Sequence, residues 1–227
     1  DDVSSGNDRS IRLFSRRNTG QDVQDIADRL LNIINRAWMN KRLWVNEPDS
    51  FFISKEHSSL SKQQIIAHIT LLGLTGAGLS FAGDLSMFPD EWMSYFATLT
   101  PSLIDGVDAV DVFVARLPEL VVVKMARAWG RGQLVGLFNW SGEYIERVLP
   151  NSLNLEPLVD HHLVDFWDQR YFRIPTQDWP VIHLDPYSAV LLSIRPVEEV
   201  RCQIVATTFH ITQGGEIKEC HYFPLTK

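Results

Sequence analysis

The chain has 227 residues, of which 45% are hydrophobic and 22% charged, with a formal net charge of −7. That length holds one large domain or two modest ones at roughly 100–200 residues each, and the composition is that of a folded globular protein. The acidic balance, without a Lys/Arg block, argues against nucleic acid as a partner, whereas a neutral sugar would not be repelled.

Seven Trp and twelve Phe are present. Indole faces suit the C–H faces of sugars, although aromatic side chains fill cores more often than sites. Cys202 and Cys220 could form one bridge, but there is no disulfide framework and no zinc spacing. Two reduced cysteines in a cytoplasmic protein is the simpler expectation. Secretion stays open, because a removed signal peptide leaves no trace. The most apolar region, Ile65 to Ala82, contains His68, three glycines and two threonines. It divides into a helix and a strand better than it spans a bilayer, so no membrane partner is expected.

In chain order, residues 1–20 are irregular apart from Ile11-Arg12-Leu13-Phe14, a candidate strand. Gln21 to Asn40 predicts a helix. Val23, Ile26, Leu30, Ile33, Ile34, Ala37 and Trp38 recur at three and four and form one apolar stripe. Leu43-Trp44-Val45-Asn46 reads as a strand. It runs into the corner Glu47-Pro48-Asp49-Ser50, where Pro48 fixes its own φ and disfavours helix before it. Ser61 with Gln64 fits a capping box opening a helix whose buried face is Ile65, Ile66, Ile69, Leu72 and Leu74. Gly76 and Gly78 end it. Leu79-Ser80-Phe81-Ala82 predicts a short buried strand, and Pro89-Asp90-Glu91 opens a third helix to about Thr100. Strand and helix thus alternate three times over residues 11–103, the pattern of a parallel α/β unit.

After about Asp105 the pattern changes. Short alternating runs appear at Leu120–Met125, Leu134–Asn139, Tyr144–Leu149, Leu163–Trp167, Val181–Leu184, Ala189–Ile194 and Ile204–Thr212. Their spacing predicts an antiparallel sandwich, with Gly130-Arg131-Gly132 and Gly214-Gly215 as hairpin turns. The fold class is therefore α/β followed by all-β, with a boundary near Ser102–Ala115.

The Leu43–Ser50 stretch presents short polar side chains at the end of an apolar strand, where a parallel barrel builds its sites. An ordinary turn with solvated acids is the alternative. Asp84 closes the next strand and either points into such a site or caps the turn before Leu85. Trp44 is either a sugar contact or a core residue. His161-His162 invites a metal reading, but without further ligands at suitable spacing a surface pair is expected, and no metal or cofactor is assigned. His210 reads as a satisfied strand histidine. Ser141-Gly142 lacks the Gly-x-Ser-x-Gly pattern of a nucleophile turn. Gly130–Gly136 has no following helix to cradle phosphate.

Several stretches, in this order, resemble the C-terminal part of a family 36 glycoside hydrolase, α-galactosidase-like, of the clan that also holds family 27. They are Ala37-Trp38-Met39-Asn40 followed by Arg42 to Asp49, Gly83-Asp84-Leu85-Ser86, Leu137-Phe138-Asn139-Trp140-Ser141, Asp165-Phe166-Trp167, and Thr207 to Gly215. The resemblance covers most of the chain from about residue 37. It implies the last strands and helices of a (β/α)8 barrel over 1–104 and an antiparallel β-sandwich over 105–227. It also implies retaining hydrolysis of α-galactosides by two Asp residues.

By that resemblance Asp49 lies near the sugar, with Asn46, Glu47, Trp44, Asp84 and Arg12 as further substrate contacts. Glu47 stands where the family carries Asp, which moves the carboxylate by roughly 1.5 Å. No catalytic residue is assigned. The nucleophile segment is not identifiable, and Arg16, Arg17 or Asn18 occupies the position of the acid/base Asp. This chain alone is expected to be inactive. A non-catalytic carbohydrate-binding or interaction module, and a raffinose-synthase-like galactosyl transferase, are the alternatives. Homo-oligomerisation is compatible with either.

Overall fold

The structure, a computed structural model, describes residues 30–47, 50–52, 60–82, 86, 89–104, 107–109, 117–127, 129–149, 153, 155–156, 158–175, 178–199, 202–221 and 223. The candidate strand at Ile11–Phe14, the first half of the long helix, Arg12, Asp49 and Asp84 lie outside these residues.

Helix at 30–35 runs into a 3-10 turn at Ala37–Met39. Leu30, Ile33, Ile34 and Ala37 are buried as the stripe predicts, but Trp38 is 56% exposed. The chain leaves the helix there, so the 3.6-residue period no longer decides which way Trp38 faces. β1 (Ser50–Phe52) and β2 (Ser80–Ala82) pair in parallel, and helix α1 (Lys62–Thr75) is the crossover between them. Parallel neighbours require such a crossover. Helix α2 (Asp90–Ala97) follows, with Pro89 at its N-cap and Asp90 and Glu91 in its first turn.

The start of α1 is a reciprocal cap. The Ser61 backbone N–H donates to Gln64 Oε1 (2.7 Å), and the Gln64 N–H donates to Ser61 Oγ (3.3 Å). Its end is Gly76, in the left-handed region at φ 63°. Between them the helix is buried on more than the one face expected. Ile66 is only half-buried, whereas Ala67, His68, Thr70 and Leu71 are buried beside Ile65, Ile69, Leu72 and Leu74. A helix apolar on most sides belongs in an interior.

The rest is mostly antiparallel sheet. β3 (Asp108–Ala109), β4 (Leu120–Arg127), β5 (Gly130–Phe138), β7 (His161–Asp165), β8 (Arg170–Ile174) and β10 (Ala189–Pro196) form one sheet in the order β3-β4-β5-β10-β7-β8. β6 (Ile145–Val148) and β9 (Val181–Leu184) form a separate antiparallel pair. Strand alternation divides the large sheet into two faces. Val121, Val123, Met125, Leu134, Phe138 and Leu191 pack in one core with Ile69, Leu71, Leu72 and Leu74 of α1. Leu120, Val122, Val135, Leu137, Leu192 and Ile194 pack in a second core with Leu184 of β9. Gly136 permits the close approach of α1, since a Cβ there would lie 2.5 Å from Leu74 Cδ1.

Four expectations change. Leu43–Asn46 is not a strand: residues 41–43 form a turn, and the pairing strand starts only at Ser50. Gly130-Arg131-Gly132 is part of β5. Arg127 pairs with Gly130, so the β4–β5 ladder already includes this glycine. β8 follows β7 through a tight turn in which Asp165 Oδ1 accepts from the N–H groups of Trp167 (3.1 Å) and Asp168 (3.3 Å). Arg170 to Arg173 are exposed on this edge strand, which hid it from an apolar-run reading.

Finally, Ile204–Thr212 is an irregular strap, not a strand. Side chains of β10 hold it in place of a ladder. Ser193 Oγ (3.2 Å) and Arg195 Nε (2.8 Å) donate to the Val205 carbonyl, and Arg195 Nη2 donates to that of Gln213 (3.2 Å). Arg195 is 2% exposed and lies 4.5 Å from the Trp129 ring centre. Burial pushes its guanidinium down to about 10, still a cation at neutral pH.

The two ends of α1 yield a paired test by urea unfolding. Ser61→Ala removes one cap and costs about 1 kcal/mol. Gly76→Ala costs more, because its Cβ would meet the Ile104 carbonyl oxygen at 2.1 Å as well as adopt a positive φ. Equal losses would refute the tight seat of Gly76 against residue 104.

Candidate functional site

The polar corner is built on a buried amide. Asn40, 2% exposed, ends the 3-10 turn. Its Nδ2 donates to the carbonyls of Thr75 (3.2 Å) and Gly76 (2.8 Å) at the C-terminal end of α1. Its Oδ1 accepts from the Asn46 N–H at 2.9 Å. Lys41, at φ 59°, reverses the chain, and its N–H donates to the Trp44 carbonyl at 2.7 Å. Its ammonium donates to the Ile104 carbonyl at 3.0 Å, and Ser102 Oγ donates to that of Gly76 at 2.7 Å. The Gly78 N–H donates to the Asn46 carbonyl at 2.9 Å, which lays the corner beside the entry to β2.

Three of the sequence-predicted residues converge here. Asn46 is buried; its Oδ1 accepts from Trp44 Nε1 (2.8 Å) and its Nδ2 donates to the Arg36 carbonyl (2.8 Å). Trp44 is 52% exposed, held by that bond rather than enclosed in a core. Glu47 is exposed, and Ser80 Oγ of β2 donates to its carboxylate. Asn46 and Glu47 precede β1, so they stand on the N-terminal side of that strand and not at a strand's C-terminal end as expected. The reason is the Asn40–Trp44 turn, which uses up the residues expected to form the strand. Neither Asn40 nor Lys41 was among the predicted site residues. The αL cap at Gly76 was the available signal, since it leaves carbonyls that some donor must satisfy.

The other chemical candidates resolve into structure. His161 and His162 are neighbours on β7, so their side chains leave opposite faces of the strand. His161 is buried against Trp179, with ring centres 5.4 Å apart, which corrects the expectation of a surface pair. His162 lies between Tyr171 Oη (2.9 Å) and Gln203 Oε1 (3.0 Å). Gln203 Oε1 only accepts, so His162 Nε2 carries the proton. Among the described residues no group of His, Cys, Asp and Glu is arranged to hold a metal ion. His210 is buried but not in a strand. Its Nδ1 accepts from the Thr212 N–H (3.1 Å), leaving Nε2–H to donate to the Pro101 carbonyl (2.8 Å). The Ile211 N–H donates to the Thr98 carbonyl (2.9 Å), so the strap is clipped to the loop after α2. Ser141 Oγ donates to Asn139 Oδ1 within a turn. Cys202 and Cys220 are free and exposed. No helix among the described residues is long and apolar enough to cross a membrane.

Two outcomes follow. Asn40→Ala removes the Asn40 bonds to the Thr75 carbonyl and the Asn46 N–H, leaves the Gly76 carbonyl to Ser102 alone, and costs roughly 2–4 kcal/mol in urea unfolding. Asn40→Asp, the same size, fares no better because it faces two carbonyl oxygens with a carboxylate. A near-neutral Asn40→Asp would refute the clamp. Burial also pushes His161 below its ordinary value of 6.5, opposed in part by a hydrogen bond with the Val159 backbone. The unfolded chain then takes up that proton first as pH falls. This contribution to stability is complete above 6.5 and is lost through the lowered folded value. His161→Gln should flatten the fall in melting temperature between about pH 7 and 5; an unchanged slope would place the titration elsewhere.

No protein-family model and no curated protein sequence matches this chain. Solved structures do. The chain is similar to a GH27 β-L-arabinopyranosidase from Geobacillus stearothermophilus at 16% identity and TM-score 0.56, over 76% of this chain and 43% of that one. It is similar to α-galactosidase I from Mortierella vinacea at 15% identity and TM-score 0.54, over 73% and 44%. An isomalto-dextranase from Arthrobacter globiformis, complexed with panose, matches at 14% and TM-score 0.53, over 74% and 29%. The chain therefore spans less than half the length of each of these three. At these identities the likeness is one of fold: the described residues share the α-galactosidase-like fold of carbohydrate-processing enzymes.

Proposed function

We propose that these residues are part of an α-galactosidase-like retaining glycoside hydrolase acting on α-galactosides. In this reading residues 1–104 supply the last strands and helices of a (β/α)8 barrel, and 105–227 form a β-sandwich behind it. The observation that carries the reading is the joining of a parallel β1–α1–β2 crossover to a large antiparallel sheet, in an arrangement shared with sugar-processing enzymes. Trp38, Leu43, Trp44 and Val45, each more than half exposed, fit a barrel wall whose neighbouring strands lie outside these residues.

The chemistry needs two carboxylates, one to attack the anomeric carbon and one to protonate the leaving oxygen. Asp49 follows Glu47 at the corner and Asp84 follows β2, and both are assigned to substrate binding with Asn46, Glu47, Trp44 and Arg12. None is assigned as nucleophile, so these residues alone are inactive in this reading. The Asn40 clamp holds the corner and thereby the start of β1.

Hydrolysis of an aryl α-galactoside tests the reading. The isolated 227-residue chain should show no turnover. In a longer polypeptide that contains it, Asp49→Ala should lower kcat/KM on the order of 100-fold, as a misplaced substrate does, with the melting temperature unchanged. Retained activity would make Asp49 a turn residue. Galactoside binding without turnover in the longer polypeptide would favour the non-catalytic binding module. Galactosyl transfer in the product mixture would favour the transferase.

A further inference from the structure

A second cleft lies at the opposite end of the large sheet from the α1–β5 packing, between the β4–β5 hairpin and the loop after β10. It is an open cleft of about 460 Å³ lined by Arg127, Trp129, Arg131, Glu198, Cys202 and Gln203, with Gly130. The volume falls within the ~300–1,000 Å³ of small-molecule sites.

Both walls are held in place. On one side Trp129 Nε1 donates to the Ile217 carbonyl (3.2 Å), and the indole is stacked with the buried Arg195 guanidinium. A Cβ on Gly214 would sit 2.7 Å from the Trp129 ring, so the ring is tightly seated. On the other side Gln203 is bonded back to the end of β10 and to Glu198. Its Oε1 accepts from the Glu198 N–H (3.1 Å) and from His162, while its Nε2 donates to the Pro196 carbonyl (2.7 Å). Such a cleft is preorganised and pays little ordering entropy on binding.

Its chemistry is mixed. Arg127 and Arg131 are exposed cations at the lining, in a chain whose net charge is −7. Arg131 is paired with Glu156 at 2.6 Å across an exposed bridge, which a ligand anion can replace at small cost. Arg195 adds a third positive charge behind Trp129, and its Nη1 finds no hydrogen-bond acceptor among the described residues. Against these stands Glu198. A bare oxyanion gains from the arginines but meets the Glu198 carboxylate. A ligand with hydroxyls and an anionic group uses both: hydroxyls donate to Glu198, the anion pairs with Arg127 and Arg131, and the ring packs on Trp129.

We infer that the Trp129 cleft binds a sugar bearing an anionic substituent, a site separate from the Asn46–Asp49 corner. The choice of a sugar rests on the carbohydrate reading above; the requirement for hydroxyls and an anion together rests on the cleft alone.

Calorimetry with three probes tests it: methyl α-galacturonide, methyl α-galactoside and inorganic phosphate, at low salt. The galacturonide should bind at least tenfold more tightly than either of the others. Arg127→Ala should weaken it severalfold or more, while the melting temperature stays the same because Arg127 is exposed; Glu198→Gln, which removes the opposing carboxylate, should narrow the gap between the uronide and phosphate. Equal binding of the neutral galactoside, insensitive to Arg127→Ala, overturns the inference, as does phosphate binding as tightly as the uronide. So does the absence of uronide binding at millimolar concentration. Aryl α-galactoside hydrolysis by the longer polypeptide is measured on the same variants. Failure of the hydrolase reading with uronide binding intact leaves this site standing. Hydrolysis retained with no uronide binding removes this site alone.

Discussion

The Asn40 amide is the interaction on which the corner depends. Three chain segments meet at this side chain: the turn after the first described helix, the C-terminal carbonyls of α1, and the backbone of Asn46. Each group it satisfies is a backbone polar group in a buried place, where lack of a partner is costly. Gly76 is the other half of the device. Its positive φ turns the chain toward β2, and its carbonyl receives both Asn40 and Ser102. The parallel pairing of β1 with β2 therefore depends on hydrogen bonds made well outside either strand.

The large sheet is organised differently. Hydrophobic alternation gives each of its central strands two apolar faces, and each face has its own cover. α1 packs on one, pressed close by the missing side chain of Gly136, and the β6–β9 pair covers the other. Beyond the reach of α1 the first face is closed by the strap. There the covering contacts are polar: Arg195 and Ser193 reach up from β10 to strap carbonyls, and Trp129 closes over the guanidinium. A buried arginine in this role is expensive to desolvate and needs its hydrogen bonds to remain. It also creates a firm wall on which a cleft can stand.

Two surfaces thus carry chemistry for different reasons. At the corner, Trp44 and Glu47 remain exposed because the turn that precedes them is fastened from below by Asn40 and Asn46. At the Trp129 cleft, side chains are presented by the ends of strands β4, β5 and β10. The α-galactosidase-like fold accounts for the relative order of these elements, and fold alone leaves their chemistry to be argued residue by residue.

Much of the local structure was determined by the sequence itself. The Ser61–Gln64 box, the Gly76 stop, the Pro89 start and the alternating runs of β4, β5, β6, β9 and β10 are short-range signals, and a short-range reading recovers them. The tertiary structure decided what depends on partners distant in the chain. It turned Leu43–Val45 outward, because Asn40 and Lys41 are bonded to residues 75, 76 and 104 and bend the segment before a strand can form. It made an irregular strap of Ile204–Thr212, whose alternating pattern suits a strand, because β10 offers side-chain donors there and not an open ladder. It separated His161 from His162, joined by adjacency in sequence, onto two faces of one strand. Of the corner, the residue types were legible, but their support was not. Asn40 declares itself only when its three bonding partners have been brought together in space.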